Sequence, residues 1–312
     1  MHIYFYFLIL IPNIFQTENE SQTSPEVFLK IGFSLFWQLV SEMPDPNKPE
    51  VWQRAIPDVD EALTKFKEFG IESIELKLTE DLLLPQLLQA ISQLIDTGFH
   101  VTFHAPGRFR FPEDLTPHLE NMAAISQFMN DEFHITPLWA VHPLNSKTKP
   151  RAEIFDQTVD YLRQLLNSLA EIPARFALEI LRNRTDSDKV HIGDSYQEIL
   201  EIISRFENKN LGICWDFGHA SAMHNRGLQT QFPPPEFLNK VIHCHVHDCQ
   251  GEKAHIPLGM GAVPIEQNIE LLKQNDYDGI LNLELASHRI DDPQRFLFSI
   301  EQSVQIIRTI IG

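Results

Sequence analysis

Six residues of the kinds that bind divalent ions or move protons recur along this chain at nearly even intervals. His104, His142, Glu179, Asp216, His245 and Glu284 stand 38, 37, 37, 29 and 39 residues apart. Imidazole and carboxylate together suit a borderline divalent ion such as manganese, zinc or cobalt. Glu179, Asp216, His245 and Glu284 would supply three carboxylates and one imidazole, leaving positions open for substrate oxygens. His104 and His142, next to Glu179, could hold a second ion or polarise a substrate hydroxyl. One ion per chain is the leading expectation and two the alternative. Each residue alone has a plainer reading as a hydrogen-bonded core residue. Their common interval is what sets them apart.

That interval is the length of one strand-plus-helix unit. Short β-rich runs at 27–36, 71–78, 99–104, 137–142, 174–180, 211–216, 240–247 and 279–285 alternate with stretches that are apolar at helical spacing, among them PDVDEALTKFKEF and SYQEILEIISRF. Eight such units predict an α/β fold, a single-domain (β/α)8 TIM barrel over 27–312, in which each of the six residues lies at or near the end of its strand. Such a barrel gathers its strand C-termini on one face, so the six side chains should share one pocket. Alternation along Ile242-His243-Cys244-His245-Val246-His247 puts all three histidines on one face, and the need to pack the other against helices makes theirs the interior. His243 should lie deeper and His247 at the loop, so His245 is the expected ligand. By the same alternation Cys214 shares the inner face with Asp216, and Trp215 packs outward. Glu75 could line the pocket or serve as an ion-paired structural carboxylate.

Composition narrows the function further. The 25 Lys and Arg against 43 Asp and Glu leave a net charge of −18, which disfavours binding to a phosphate backbone and makes nucleic acid a poor partner. Three cysteines without CxxC spacing suggest a reducing, cytoplasmic setting. The apolar first fifteen residues fall short of the roughly 20 that cross a bilayer, so no membrane span is expected. With no basic residue before them and no small-residue cleavage site after, they read as a docked segment or misassigned start rather than a signal, and residues 1–26 form an N-terminal segment and polar linker. Neither a G-x-G-x-x-G nor a P-loop nor a G-x-S-x-G motif is present.

The segments AVHPL (140–144), ALEIL (177–181), WDFGHA (215–220), HCHVHDCQGEKAHIPLGMG (243–261) and YDGILNLEL (277–285) together resemble the xylose-isomerase-like TIM barrels, which include sugar isomerases and epimerases and metal-dependent apurinic-site endonucleases. The resemblance implies that Glu179, Asp216, His245 and Glu284 form a metal quartet, with Glu179 and Glu284 also the catalytic acid and base. It implies an isomerase or epimerase of a small sugar, sugar acid or sugar phosphate, working by proton transfer next to a metal-bound carbonyl. The alternative is a phosphoester hydrolase of the apurinic-site endonuclease type. In that type His104 and His142 match ligands of a further zinc, and His219 and His255 match two of three ligands of a third. The third ligand would be an acid at position 253, where this chain has Lys253. A lysine repels the cation, so His219 and His255 read better as substrate contacts. Cations follow several strands, among them Arg108 after His104 and Arg184 after Glu179, and both are expected to bind an anionic or heavily hydroxylated substrate. Ordinary solvated loop charges are the other reading. The barrel could also self-associate.

Overall fold

The computed structural model describes residues 29–40, 52–79, 82–106, 115–290 and 292–312, so the N-terminal segment 1–26 and Arg108 lie outside the described residues. Eight strands, β1 (Lys30–Phe36), β2 (Ser73–Lys77), β3 (His100–His104), β4 (Leu138–Val141), β5 (Arg175–Glu179), β6 (Leu211–Asp216), β7 (Val241–Val246) and β8 (Ile280–Leu283), pair in parallel. They close into a barrel in which β8 meets β1. Each lies inside the run expected for it. Two short antiparallel pairs sit on the loops, Asn145–Ser146 with Val190–His191 and Asp248–Gln250 with Lys253–Ile256.

Helices α1 (Val59–Phe69), α2 (Leu84–Asp96), α3 (Leu115–Phe133), α4 (Arg151–Ser168), α5 (Tyr196–Ile203), α6 (Phe217–Asn225), α7 (Pro235–Leu238), α8 (Ile265–Gln274) and α9 (Pro293–Ile311) surround it. Their ends follow local rules. Asp58 caps α1 by accepting from the Glu61 amide, and Gly70, at φ 96°, ends it in the left-handed region. Ser195 and Asp292 cap α5 and α9 in the same way. No helix among the described residues is long and apolar enough to cross a membrane.

Alternation along the strands divides the barrel into two environments. Outward residues such as Phe103, Trp139, Phe176 and Trp215 are fully buried between sheet and helices. Phe103 stacks on Trp139 at 4.6 Å, and Trp215 meets Phe217 edge-on at 4.5 Å, so the outward packing expected of Trp215 is observed. The inward positions are polar. Glu75, His243, His245, Asn282 and Ser34 meet in one buried layer, and the chain makes room for it with small residues. A Cβ on Gly32 would fall 2.6 Å from the Asn282 side-chain oxygen.

Glu75 is the centre of that layer. It accepts from Ser34 Oγ (2.7 Å), Asn282 Nδ2 (3.0 Å), His243 Nε2 (2.8 Å) and His245 Nε2 (3.1 Å). Burial pushes its carboxyl up, but the charge of His245 and the hydrogen bonds from both histidines outweigh that and hold it well below the usual carboxylate range. Of the two roles open to Glu75, the structure gives it that of a paired structural carboxylate. Removing one member of a buried charged set strands the rest, so Glu75→Ala is expected to cost about 3–5 kcal/mol, read from the urea midpoint. Glu75→Gln keeps the volume and should cost less. The pairing is whole between about pH 4.3 and 6.5. The share of Glu75 disappears as the pH falls through its depressed value, and that of His245 as the pH rises through its raised one. An unchanged midpoint and pH dependence in both variants would remove the structural role.

Candidate metal centre

The strands end in a crowded group of carboxylates and imidazoles. His104, Glu179 and Asp216 are the last residues of β3, β5 and β6, His245 is next to last in β7, and His142 and Glu284 each stand one residue past β4 and β8. Donor atoms of Glu179, Asp216, His245 and Glu284 all lie within 4.8 Å of one another, and all four residues are buried. The barrel thus brings together the quartet expected from the spacing.

Within it, His245 is held from below. Its Nε2–H donates to Glu75, which aims Nδ1 upward to stand 3.2 Å from Glu284 Oε2, 3.5 Å from Glu179 Oε2 and 3.9 Å from Asp216 Oδ2. A carboxylate behind an imidazole is the arrangement that fixes the tautomer of a metal-binding histidine. His245 Nδ1 and Glu284 Oε2 are buried without a hydrogen-bond partner. Two orphaned polar atoms aimed into one carboxylate cluster are the fit expected for a divalent ion. Burial opposes charge on His245, but Cys214, Glu75, Glu179 and Glu284 raise its pKa well above the usual histidine value. Because burial keeps the Cys214 thiol protonated, the glutamates are the anions responsible at neutral pH.

Glu179 faces imidazoles on two sides. His142 Nε2 lies 2.9 Å and His104 Nε2 3.3 Å from its Oε2, while His219 Nδ1 lies 3.2 Å from its Oε1. Burial raises its carboxyl, and His142, His245 and His104 together bring it well below the carboxylate range. The Nδ1–H of His104 donates to the Ala105 carbonyl at 2.8 Å, leaving Nε2 to face the carboxylate. His104, His142 and Glu179 therefore form a second group of metal-ligand type.

Asp216 ends β6 and caps α6, accepting from the His219 amide at 2.6 Å, and His247 Nε2 donates to it at 3.0 Å. Gly218 in WDFGHA has a reason in this contact: a Cβ there would sit 2.0 Å from the His247 ring. His247 also accepts from the His255 amide at 2.9 Å. Both its nitrogens are thus used, although it lies in one cluster with His219 and His255. The Nδ1–H groups of His219 and His255 donate to the carbonyls of Ile180 and Glu284, each at 3.2 Å, and their Nε2 atoms face each other at 3.1 Å. Burial lowers both pKa values, but Asp216 and Glu179 raise that of His219 above normal, so His219 donates to a neutral His255. His255 belongs to the Lys253–Ile256 strand, and Lys253 is exposed. Cys214 groups with His243 and His245, yet both histidines turn Nε2 to Glu75.

The loop cations behave differently from the expectation for Arg184. Its guanidinium is taken by Asp186, two residues on and exposed, so the structure does not bring it into the cluster. Lys147 pairs with Asp188, Lys149 with Glu153, and Arg151 with Asp194 and Glu198. A cation that does reach the site is Lys77, whose Nζ lies 2.7 Å from Glu284 Oε1. Parity marks it, two residues after inward Glu75 and last in β2, on a strand rather than on a loop.

Comparison with known proteins places this barrel. Two proteins of Methanocaldococcus jannaschii are similar to parts of the chain. MJ1311 is 30% identical over 127 residues, 38% of this chain and 41% of its own length, so the match spans about two fifths of that relative. MJ1188 is 25% identical over 198 residues, 62% of this chain and 69% of its own. Among solved structures, a D-tagatose 3-epimerase-like protein superposes with a TM-score of 0.63 at 21% identity, covering 91% of this chain and 100% of the other. The IOLI protein with a bound zinc atom gives 0.61 at 17%, over 90% and 96%. D-psicose 3-epimerase from Clostridium cellulolyticum H10, solved with D-tagatose, gives 0.64 at 12%, over 90% and 99%. At these identities the likeness shows the fold alone. The model of the xylose isomerase-like TIM barrel matches residues 63–308, from within α1 to within α9, and the chain belongs to that family.

Proposed function

We propose that this protein is a divalent-metal-dependent isomerase or epimerase of a small sugar or sugar derivative. The observation that carries the reading is the convergence of Glu179, Asp216, His245 and Glu284, with His245 Nδ1 and Glu284 Oε2 buried 3.2 Å apart and neither making a hydrogen bond. When bound there, manganese, zinc or cobalt would supply polarisation of a substrate carbonyl, which acidifies the neighbouring C–H.

The chain's own residues do the rest. Glu179 and Glu284 come from β5 and β8, on different sides of the barrel mouth, and each can take or return a proton on its own face of a substrate carbon. Both carboxyls are held well below the usual range, Glu284 because Lys77, His255 and His245 outweigh its burial, so both start as bases. His104, His142 and His219 hold Glu179 in position, and Lys77 holds Glu284. A D-tagatose 3-epimerase-like protein, a D-psicose 3-epimerase and a zinc-bound protein among the structural neighbours support the class. The free, buried Cys214, Cys244 and Cys249 support a reducing, cytoplasmic setting.

A second reading, metal-dependent phosphoester hydrolysis, draws on the His104–His142–Glu179 group, which could hold another ion. Metal stoichiometry separates the two. One ion per chain favours isomerisation, and two shift weight to hydrolysis.

Incubating the manganese-loaded protein in D2O with a panel of ketoses should place deuterium on the carbon beside the carbonyl, read by NMR. Glu179→Gln and Glu284→Gln should each lower exchange by at least about 100-fold; full exchange in either would refute its role as acid or base. Metal affinity should also depend on pH in one direction. His245 must lose a proton to bind an ion, and its pKa is raised, so affinity should climb as the pH rises toward that raised value, with release of about one proton per ion, measured by calorimetry in buffers of different ionisation heat. Affinity that is flat with pH, without proton release, would show that His245 is not a ligand.

A further inference from the structure

We infer that Lys77 is a substrate-binding residue, and that it selects a sugar acid over a neutral sugar or a sugar phosphate. The inference rests on the proposed isomerase reading and names the substrate class for that site. A cavity of about 210 Å3 opens beside the quartet. Phe36, Leu39 and Phe296 form an apolar wall, and Ser34, Lys77 and Glu284 are among its polar residues. Lys77 is held from two sides, by Glu284 Oε1 at 2.7 Å and by the Phe36 ring, whose centroid is 5.7 Å from Nζ. Its side chain is still 20% exposed. An ammonium has three N–H donors and Glu284 uses one, so the others remain for a ligand oxygen.

Charge favours the same ligand. Glu179, Asp216 and Glu284 carry three negative charges, and a divalent ion among them leaves one uncancelled. Lys77 stands 2.7 Å from one of these carboxylates at the cavity wall, where an entering carboxylate finds a charged donor. A neutral sugar gains little from the ammonium. A phosphate brings about two negative charges, and Lys77 is the only lysine or arginine among the described residues lining the cavity to meet them. Arg184, Lys147 and Lys149 are engaged by neighbouring acids, Arg182 donates to the Glu252 carbonyl, and none of the four lines the cavity.

D-glucuronate, D-glucose and D-glucose 6-phosphate share one ring and differ at C6, which makes them a matched set of probes. Binding to the manganese-loaded protein is read by calorimetry or water-proton relaxation. Wild type should bind glucuronate at least about tenfold more tightly than either of the others. Lys77→Met should remove that preference while still binding manganese, which shows the site is folded, and Lys77→Arg should keep most of it. Arg163→Met, which removes an exposed helix cation paired with Asp160, should change nothing. Glucuronate affinity in Lys77→Met equal to wild type overturns the inference, as does wild type that prefers the phosphate or takes up none of the three. Those failures leave deuterium exchange intact, whereas a wild type that binds no manganese would sink the isomerase reading itself.

Discussion

A carboxylate sealed in a barrel survives only with enough donors around it, and Glu75 is the point on which the polar interior rests. Four side chains from three other strands, Ser34, Asn282, His243 and His245, converge on it. Without them the ion would face the desolvation cost that normally excludes charge from a protein interior. With them it becomes a fixed base under His245, and the orientation of that imidazole decides where Nδ1 points. The candidate metal centre is thus built from the bottom upward. A structural ion pair sets one ring, and that ring faces three carboxylates delivered by three other strands.

The same logic gives Asp216 two tasks. It closes β6 and opens α6, so its carboxylate accepts an amide from its own helix as well as an imidazole proton from His247. A helix cap is ordinarily a local device. Here it locks a metal-type carboxylate against the register of the barrel, and Gly218 keeps the adjacent turn open for the His247 ring. Fold and site are stabilised by the same contacts, which the short motif WDFGHA supplies from one turn.

Strand number, strand position and the inward face of His245 were all legible in the sequence, because period-two alternation and the repeated interval are imposed by the barrel itself. The destinations of long cations were not. Arg184 stands directly after a site strand, yet Asp186 is close enough to take its guanidinium, and no periodic pattern reports such a local competition. Lys77 shows the reverse case. Its place on a strand was readable, but that a flexible four-carbon stem would reach across to Glu284 depends on how β2 and β8 flank β1 in the closed barrel. Likewise His255 was readable as a partner of His219. The short antiparallel strand pair that presents it, with a positive φ of 57°, was not.

Two glutamates of equal chemistry are finally made unequal by their neighbours. Glu179 is enclosed by imidazoles, which can pass a proton on to one another and exchange donor for acceptor roles. Glu284 faces an ammonium, which donates and cannot accept. A proton taken up by Glu179 therefore has a network of rings into which its charge can spread, whereas a proton on Glu284 must displace a fixed ion pair. That difference makes the Glu179 side the more tolerant of changing protonation and the Glu284 side the more rigid. In the proposed reaction, with Glu179 and Glu284 on opposite faces of a substrate carbon, such inequality would let one fold treat the two faces differently without any change in the four residues at its centre.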